Sequence, residues 1–166
     1  MRTQEINLFI VDDNKLVLTD LKYYLINKFG KGLQISTFTD GESCLAKVDK
    51  QTDIVILDYF LNGQNGLEVL KSIKDINPKT EVIMFTNNED ISMAVESFRM
   101  GATDYVVKGK GALTKIHQLV YHIITEPIRI MVREFGISKY MAIFLLTFIT
   151  MGLVVFFVLR YIKPEV

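Results

Sequence analysis

The chain has 166 residues, room for one domain of ordinary size and one further element, with 19 basic and 19 acidic side chains. The charge is unevenly placed: residues 1–126 carry 14 basic and 17 acidic side chains, a net of −3, and residues 127–166 carry 5 and 2, a net of +3. An acidic globular part with a basic, apolar tail excludes nucleic acid as the direct partner and points the tail at a membrane surface. The single Cys44 excludes an internal disulfide framework, and its surroundings, SCLAKV, hold no metal-ligand spacing.

Met1 to Asn7 is too short and polar to be the apolar core of a signal peptide. Ile6, Leu8 and Ile10 alternate, and the run to Val11 closes on Asp12 and Asp13, which predicts a first strand ending on two carboxylates. From Asn14 the period changes: Leu16, Val17, Leu21, Tyr24, Leu25 and Ile26 recur at helical spacing as far as Gly30. Leu33 to Phe38 alternates again as a second strand. Thr39 and Glu42 have the spacing of a capping box for a helix over 40–49. Ile54 to Leu57 is an unbroken β-branched run into Asp58, followed by a turn at Asn62 and Gly63, as expected of a buried parallel strand. A helix over 66–75 stops at Asn77–Pro78.

Glu81 to Phe85 is a fourth strand ending at Thr86, and Asn87 and Asn88 offer a cap to the helix that closes at Gly101. Asp104 to Val107 makes a fifth strand stopping at Lys108, and Leu113, Ile116, Leu119, Val120 and Ile123 line one side of a fifth helix after the turn at Gly109 and Gly111. Five strand–helix alternations with strongly apolar strands specify an α/β fold built on one doubly wound, five-stranded parallel sheet.

The tail departs from this pattern. Glu126–Pro127 interrupts or kinks the fifth helix, and Ile128, Met131, Val132 and Phe135 continue a helical stripe with Arg129 and Arg133 between them. Tyr140 to Leu159 contains no charge, and at the helical rise this stretch reaches roughly 30 Å, the thickness of bilayer hydrocarbon. Lys139 and Arg160 bracket it, and Tyr140 and Tyr161 sit where interfacial aromatics belong. The expected organisation is a globular domain over 1–126, an amphipathic linker helix over 127–139, a transmembrane helix over 140–160 and a short tail over 161–166.

Neighbouring parallel strands bring their C-terminal ends to one edge, so Asp12, Asp13, Asp58, Thr86 and Lys108 meet there. Three carboxylates close together repel one another and favour a hard divalent cation, and Mg²⁺ suits an all-oxygen set that must also leave room for a phosphoryl group. Asp58 is placed as the nucleophile that forms an aspartyl phosphate, Lys108 as a point charge on the phosphoryl oxygens, and Thr86 as a hydroxyl donor.

The segments VDDN at 11–14, ILDYFLNGQNGLEVL at 56–70, MFT at 84–86 and GATDYVVK at 101–108 resemble a response-regulator receiver domain of two-component signalling. The resemblance covers residues 5–125 and implies a flavodoxin-like, receiver-type sheet with strand order 2-1-3-4-5. It implies Asp12 and Asp13 as the acidic pair on Mg²⁺, Asp58 as phospho-acceptor, and the backbone carbonyl of Phe60 as a further metal ligand. Thr86 matches the switch hydroxyl, Lys108 the phosphate-contacting lysine, and Tyr105 the aromatic that reorients on phosphorylation. Two positions depart: Gly109 stands where the family usually has proline, and Asn87 where it usually has a small residue. A receiver of this kind serves its own phosphotransfer and dephosphorylation without being a classified enzyme.

The implied partners are a sensor histidine kinase or phosphotransfer protein, a membrane or cytoplasmic protein target, and a second copy in a homodimer. With the tail read as a bilayer span, the expected function is a phosphorylation-controlled response regulator acting by protein contact at the inner membrane, with its receiver in the cytoplasm. The competing readings are a phosphate sink or phosphorelay intermediate and a non-signalling membrane adaptor.

Overall fold

The computed structural model describes the backbone over residues 6–135 and 137–161, and side chains over 6–125, 143–158 and 160–161 except at residue 31. Five strands, β1 (Ile6–Val11), β2 (Leu33–Phe38), β3 (Ile54–Leu57), β6 (Glu81–Thr86) and β7 (Asp104–Val107), form one parallel sheet in the order β2-β1-β3-β6-β7. Between β3 and β6 lie β4 (Phe60–Leu61) and β5 (Gln64–Asn65), a small antiparallel hairpin over the Asn62–Gly63 turn, where Gly63 takes a φ of 83°. Apart from this hairpin, the sheet has the expected order.

Alternation along the strands builds a core on each face. Leu8, Ile10, Ile54, Ile56, Ile83, Phe85 and Val106 form one core with Leu18, Leu21 and Leu25 of α1 (Lys15–Phe29) and Ile116 and Val120 of α5 (Ala112–Phe135). Val11, Val55, Leu57, Val82, Met84 and Tyr105 form the other with Cys44 of α2 (Gly41–Leu45) and Leu67, Val69, Leu70 and Ile73 of α3 (Gly66–Ile76). All four residues of β3 are buried, because this central strand is covered on both sides.

Helix starts follow side-chain caps. Asn14 caps α1 by accepting from the Leu16 N–H at 3.0 Å, and Asn65 caps α3 by accepting from Leu67 at the same distance. Two expected caps are replaced. Asp40, accepting from Ser43 N–H at 2.7 Å, opens α2 in place of Thr39, whose hydroxyl turns to Asp40 itself, and the helix ends at Leu45, short of residue 49. At α4 (Ile91–Arg99) the cap is Asp90, which accepts from Ser92 N–H, while Asn88 accepts from Asp90 N–H to shape the turn before it.

The chain divides into two compact units, Met1–Ile124 and Thr125–Val166. Helix α5 is continuous through position 127, so the expected interruption at Pro127 is absent from the helix limits. The second unit holds the end of α5 and α6 (Ile137–Tyr161). The stripe Ile128, Met131, Val132 and Phe135, with Arg129, Arg133, Lys139 and Tyr140, lies outside the residues with described side chains.

The expectation of a transmembrane helix over 140–160 is corrected: among the described residues, no helix is long and apolar enough to cross a membrane. The membrane tether, action at the bilayer and placement in the inner membrane rested on that span and are withdrawn with it.

The hairpin delivers Gly66 against the strand end, with its N–H donating to the Tyr59 carbonyl at 2.7 Å. A Cβ at Gly66 would run into the Asp58 carbonyl oxygen and the Tyr59 backbone, which have no flexible end to yield. Gly66→Ala is therefore expected to lower stability by about 2 kcal/mol or more in urea unfolding. The open position Gly32, with nothing near an added Cβ, is the matched control and is expected to change little on substitution by Ala.

Candidate functional site

The site lies at the C-terminal edge of the sheet, one residue past several strands. Backbone bonds carry the ladder that one step further: Asp12 N–H donates to Phe38 carbonyl (3.1 Å), Asp58 N–H to Val11 carbonyl (2.9 Å) and Lys108 N–H to Thr86 carbonyl (2.8 Å). These side chains therefore stand on an extension of the sheet and not on free loops. Asp12 and Asp58 are buried, with 1% and 5% of their surface exposed, Thr86 is fully buried, and Asp13 is exposed.

Lys108 is the centre of the arrangement. Its Nζ lies 2.6 Å from Asp12 Oδ2 and 2.6 Å from Asp58 Oδ2, joining residues 96 and 50 positions apart in sequence. The same ammonium sits 5.5 Å from the centre of the Phe85 ring. The remaining carboxylate oxygens are aimed by the backbone: Asp12 Oδ1 accepts from Asn14 N–H at 2.9 Å and Asp58 Oδ1 from Tyr59 N–H at 2.7 Å. Asp12, Asp13 and Asp58 each offer an oxygen, and these oxygens lie within 4.8 Å of one another. Three carboxylates against one lysine leave a net negative, oxygen-only cavity, the donor chemistry that a hard divalent cation requires.

Beside this cluster Thr86 and Tyr105 are joined through one residue. Asn88 N–H donates to Thr86 Oγ1 at 3.3 Å, and Tyr105 Oη donates to the Asn88 carbonyl at 2.9 Å. Tyr105 is 9% exposed and turned inward, and its backbone carbonyl is held by Lys115 Nζ at 3.0 Å. Burial raises the Tyr105 phenol pKa, with the Tyr59, Asp90 and Asp58 groups adding in the same direction, so the phenol keeps its proton for that bond.

Asp12, Asp13, Asp58, Thr86 and Lys108 lie along this edge, and Tyr105 lies within β7, with its hydroxyl on the Asn88 carbonyl. Phe60, exposed at 58%, heads the small hairpin just beyond Asp58. The Lys108–Gly109 peptide is trans and nothing crowds Gly109, yet Lys108 reaches both carboxylates without a proline behind it. Asn87 is exposed and lines, with Lys108, Gly109, Val17, Leu21 and Phe85, an open cleft of about 360 Å³ beside the lysine. Sequence reasoning missed Asn88 as the link between the hydroxyl and the aromatic, and Lys115 as the clamp on Tyr105. Asn88 acts through its backbone, which leaves no residue-type signal. The close backbone approach at Gly66 was also missed, since the sequence marks only a helix start there.

Burial raises the Asp12 pKa against the opposing pull of Lys108 and the Asn14 N–H. The folded chain thus holds a proton on Asp12 more tightly than the unfolded chain does. The ionised carboxylate costs stability above its folded pKa, and that cost is relieved as pH falls through it. In metal-free buffer at neutral pH, Asp12→Asn is expected to raise the thermal midpoint. The gain shrinks as the pH is lowered through the carboxylate range, and differential scanning calorimetry across pH checks both.

Several comparisons with known proteins agree with this geometry. Over 101 residues the chain is 35% identical to the DNA-binding transcriptional regulator NtrC of Salmonella typhimurium, covering 60% of this chain and 21% of that protein. It is 36% identical over 104 residues to the heme response regulator HssR of Staphylococcus epidermidis, covering 62% and 45%. The chain thus spans between a fifth and a half of the length of these relatives.

Among solved structures, the BeF₃-activated receiver domain of DrrB superposes with a TM-score of 0.63 at 28% identity, over 72% of this chain and 97% of that one. CheY in the CheX–CheY–BeF₃–Mg²⁺ complex of Borrelia burgdorferi superposes at 0.64 and 25% identity, over 72% and 89%. The Asp12–Asp13–Asp58 cluster is an all-oxygen set whose chemistry fits a hard divalent cation, such as the Mg²⁺ named in that complex. The response regulator receiver domain model matches residues 8–121, well over half of the chain, and the chain belongs to that family.

Proposed function

We propose that Asp58 accepts the phosphoryl group and that Thr86 and Tyr105 read its arrival. The observation that carries this is the Lys108 ammonium at 2.6 Å from both Asp12 and Asp58, a cation stationed where new negative charge would develop. A carboxylate oxygen of Asp58 attacks phosphorus in line, forming an O–P bond as the bond to the donor's nitrogen or oxygen breaks and its electron pair leaves with the donor. Asp12, Asp13, Asp58 and the Phe60 carbonyl would hold Mg²⁺, which would neutralise charge on the phosphoryl oxygens. Lys108 exchanges a carboxylate partner for a phosphoryl oxygen and stays paired throughout.

Thr86 Oγ1 accepts from Asn88 N–H and so retains its own proton to donate. Turning that donor to the phosphoryl group pulls on Asn88, and through the Asn88 carbonyl on Tyr105. The coupled response reaches the face formed by α4, β7 and α5, where Ile91, Val95 and Phe98 are exposed apolar side chains. Phosphorylation then shifts the population of that face between two arrangements, and a protein partner reads the difference. The receiver itself is proposed to occupy residues 1–126.

The test is phosphorylation of the full chain by a small-molecule phosphodonor, read as intact mass. One added phosphoryl group is expected with Mg²⁺, and none in the presence of a chelator. Asp58→Asn is expected to abolish it, and Lys108→Ala to slow it by about tenfold or more. Undiminished labelling of the Asp58→Asn chain would place the acceptor elsewhere and overturn the assignment.

A further inference from the structure

The edge of the sheet far from the phospho-acceptor side is built differently from its centre. Among the described residues β2 pairs only with β1, which leaves its other side open. The Phe38 carbonyl accepts from Asp12 N–H on β1, and the alternation of a parallel ladder then turns the N–H and C=O groups of Ile35 and Thr37 outward. The strand reads LQISTF, with no charge, proline or bulge to guard that edge. The segment after α2 contributes Lys47, Asp49, Gln51 and Thr52 as one wall of an open cleft of about 600 Å³ along β2.

The cleft is a built feature. Its floor holds Phe9 and Phe38, half-buried and packed edge to face with ring centres 5.1 Å apart. Its wall is tied down: Asn7 Nδ2 donates to Gln51 carbonyl at 2.9 Å and Asn77 Nδ2 to Asp49 carbonyl at 3.2 Å. Two lysines line it, Lys22 from α1 and Lys47 from the wall, and neither makes an ion pair among the described residues. The one acid lining it, Asp49, is already engaged, accepting from Gln51 N–H at 2.9 Å and from the Thr52 hydroxyl at 3.3 Å.

We propose that this cleft is a docking site for an extended, acidic segment of a partner protein, which adds to β2 as a further strand. The outward groups of Ile35 and Thr37 supply main-chain hydrogen bonds, and the aromatic floor receives an alternate apolar side chain. Lys22 and Lys47 select acidic flanks, a local basic site on a domain that is acidic overall. The same lysines disfavour a second copy as occupant, since edge-to-edge pairing of two β2 strands would bring like charges together.

A labelled peptide of alternating glutamate and valine, titrated into the full chain, tests this by fluorescence anisotropy, with hydrogen exchange read in parallel. Saturable binding is expected, with exchange slowed over 33–38. Lys22→Glu/Lys47→Glu is expected to weaken it about tenfold while a chain of alternating lysine and valine gains affinity for that variant. Absence of saturable binding, or protection of another segment in place of 33–38, overturns the proposal. Slowed exchange over 33–38 on raising the protein concentration without peptide assigns the edge to a second copy and overturns it equally.

Discussion

The structure turns on one ammonium group. Lys108 bridges Asp12 and Asp58 at 2.6 Å each, and both carboxylates are nearly removed from water. Two buried carboxylates at this separation repel strongly, and a metal-free fold tolerates them because a cation is held between them. That balance is also why the site is receptive. A divalent cation and a phosphoryl group bring charges of opposite sign, which Lys108 and the three carboxylates already match. Burial still raises the Asp12 pKa, although the Lys108 ammonium and the Asn14 N–H pull it the other way.

Such a constellation cannot be built from a local motif, because its members come from separate β–α units. It depends on parallel register. Leu57 stands opposite Val11 on one side and Met84 on the other, and the next residue on β1 and β3 is the functional one. The alternation that buries Ile54, Ile56 and Ile83 against α1 and α5 also decides which way Asp12 and Asp58 point. A single-residue slip in either pairing would separate the carboxylates from Lys108. Core packing and site geometry are therefore the same constraint, with Gly66 setting how closely the following loop can approach the acceptor strand.

This explains what could be read without coordinates. Strand ends were legible because apolar runs stop sharply at Asp12, Asp58, Thr86 and Lys108, whereas the sheet order was implied only by the resemblance to receiver domains. The caps were less so: Asp40 and Asp90 displaced the residues favoured by spacing, since several polar side chains near a helix start compete for the same N–H groups. Asn88 was invisible, because its contribution is a peptide group. The uncharged stretch from Tyr140 to Leu159 misled in another way. Its length matches a bilayer, but among the described residues no helix meets the length and apolarity that crossing demands.

The central claim is that charge arriving at Asp58 is felt at Tyr105 through Thr86 and Asn88. Amide chemical shifts of the full chain, recorded with beryllofluoride and Mg²⁺ as a stand-in for the phosphoryl group, test it most directly. Saturable shifts at Thr86, Asn88 and Tyr105, absent from the Asp58→Asn chain, are the predicted result. Shifts confined to residues touching the acceptor, with Asn88 and Tyr105 unmoved at saturation, would contradict the coupling.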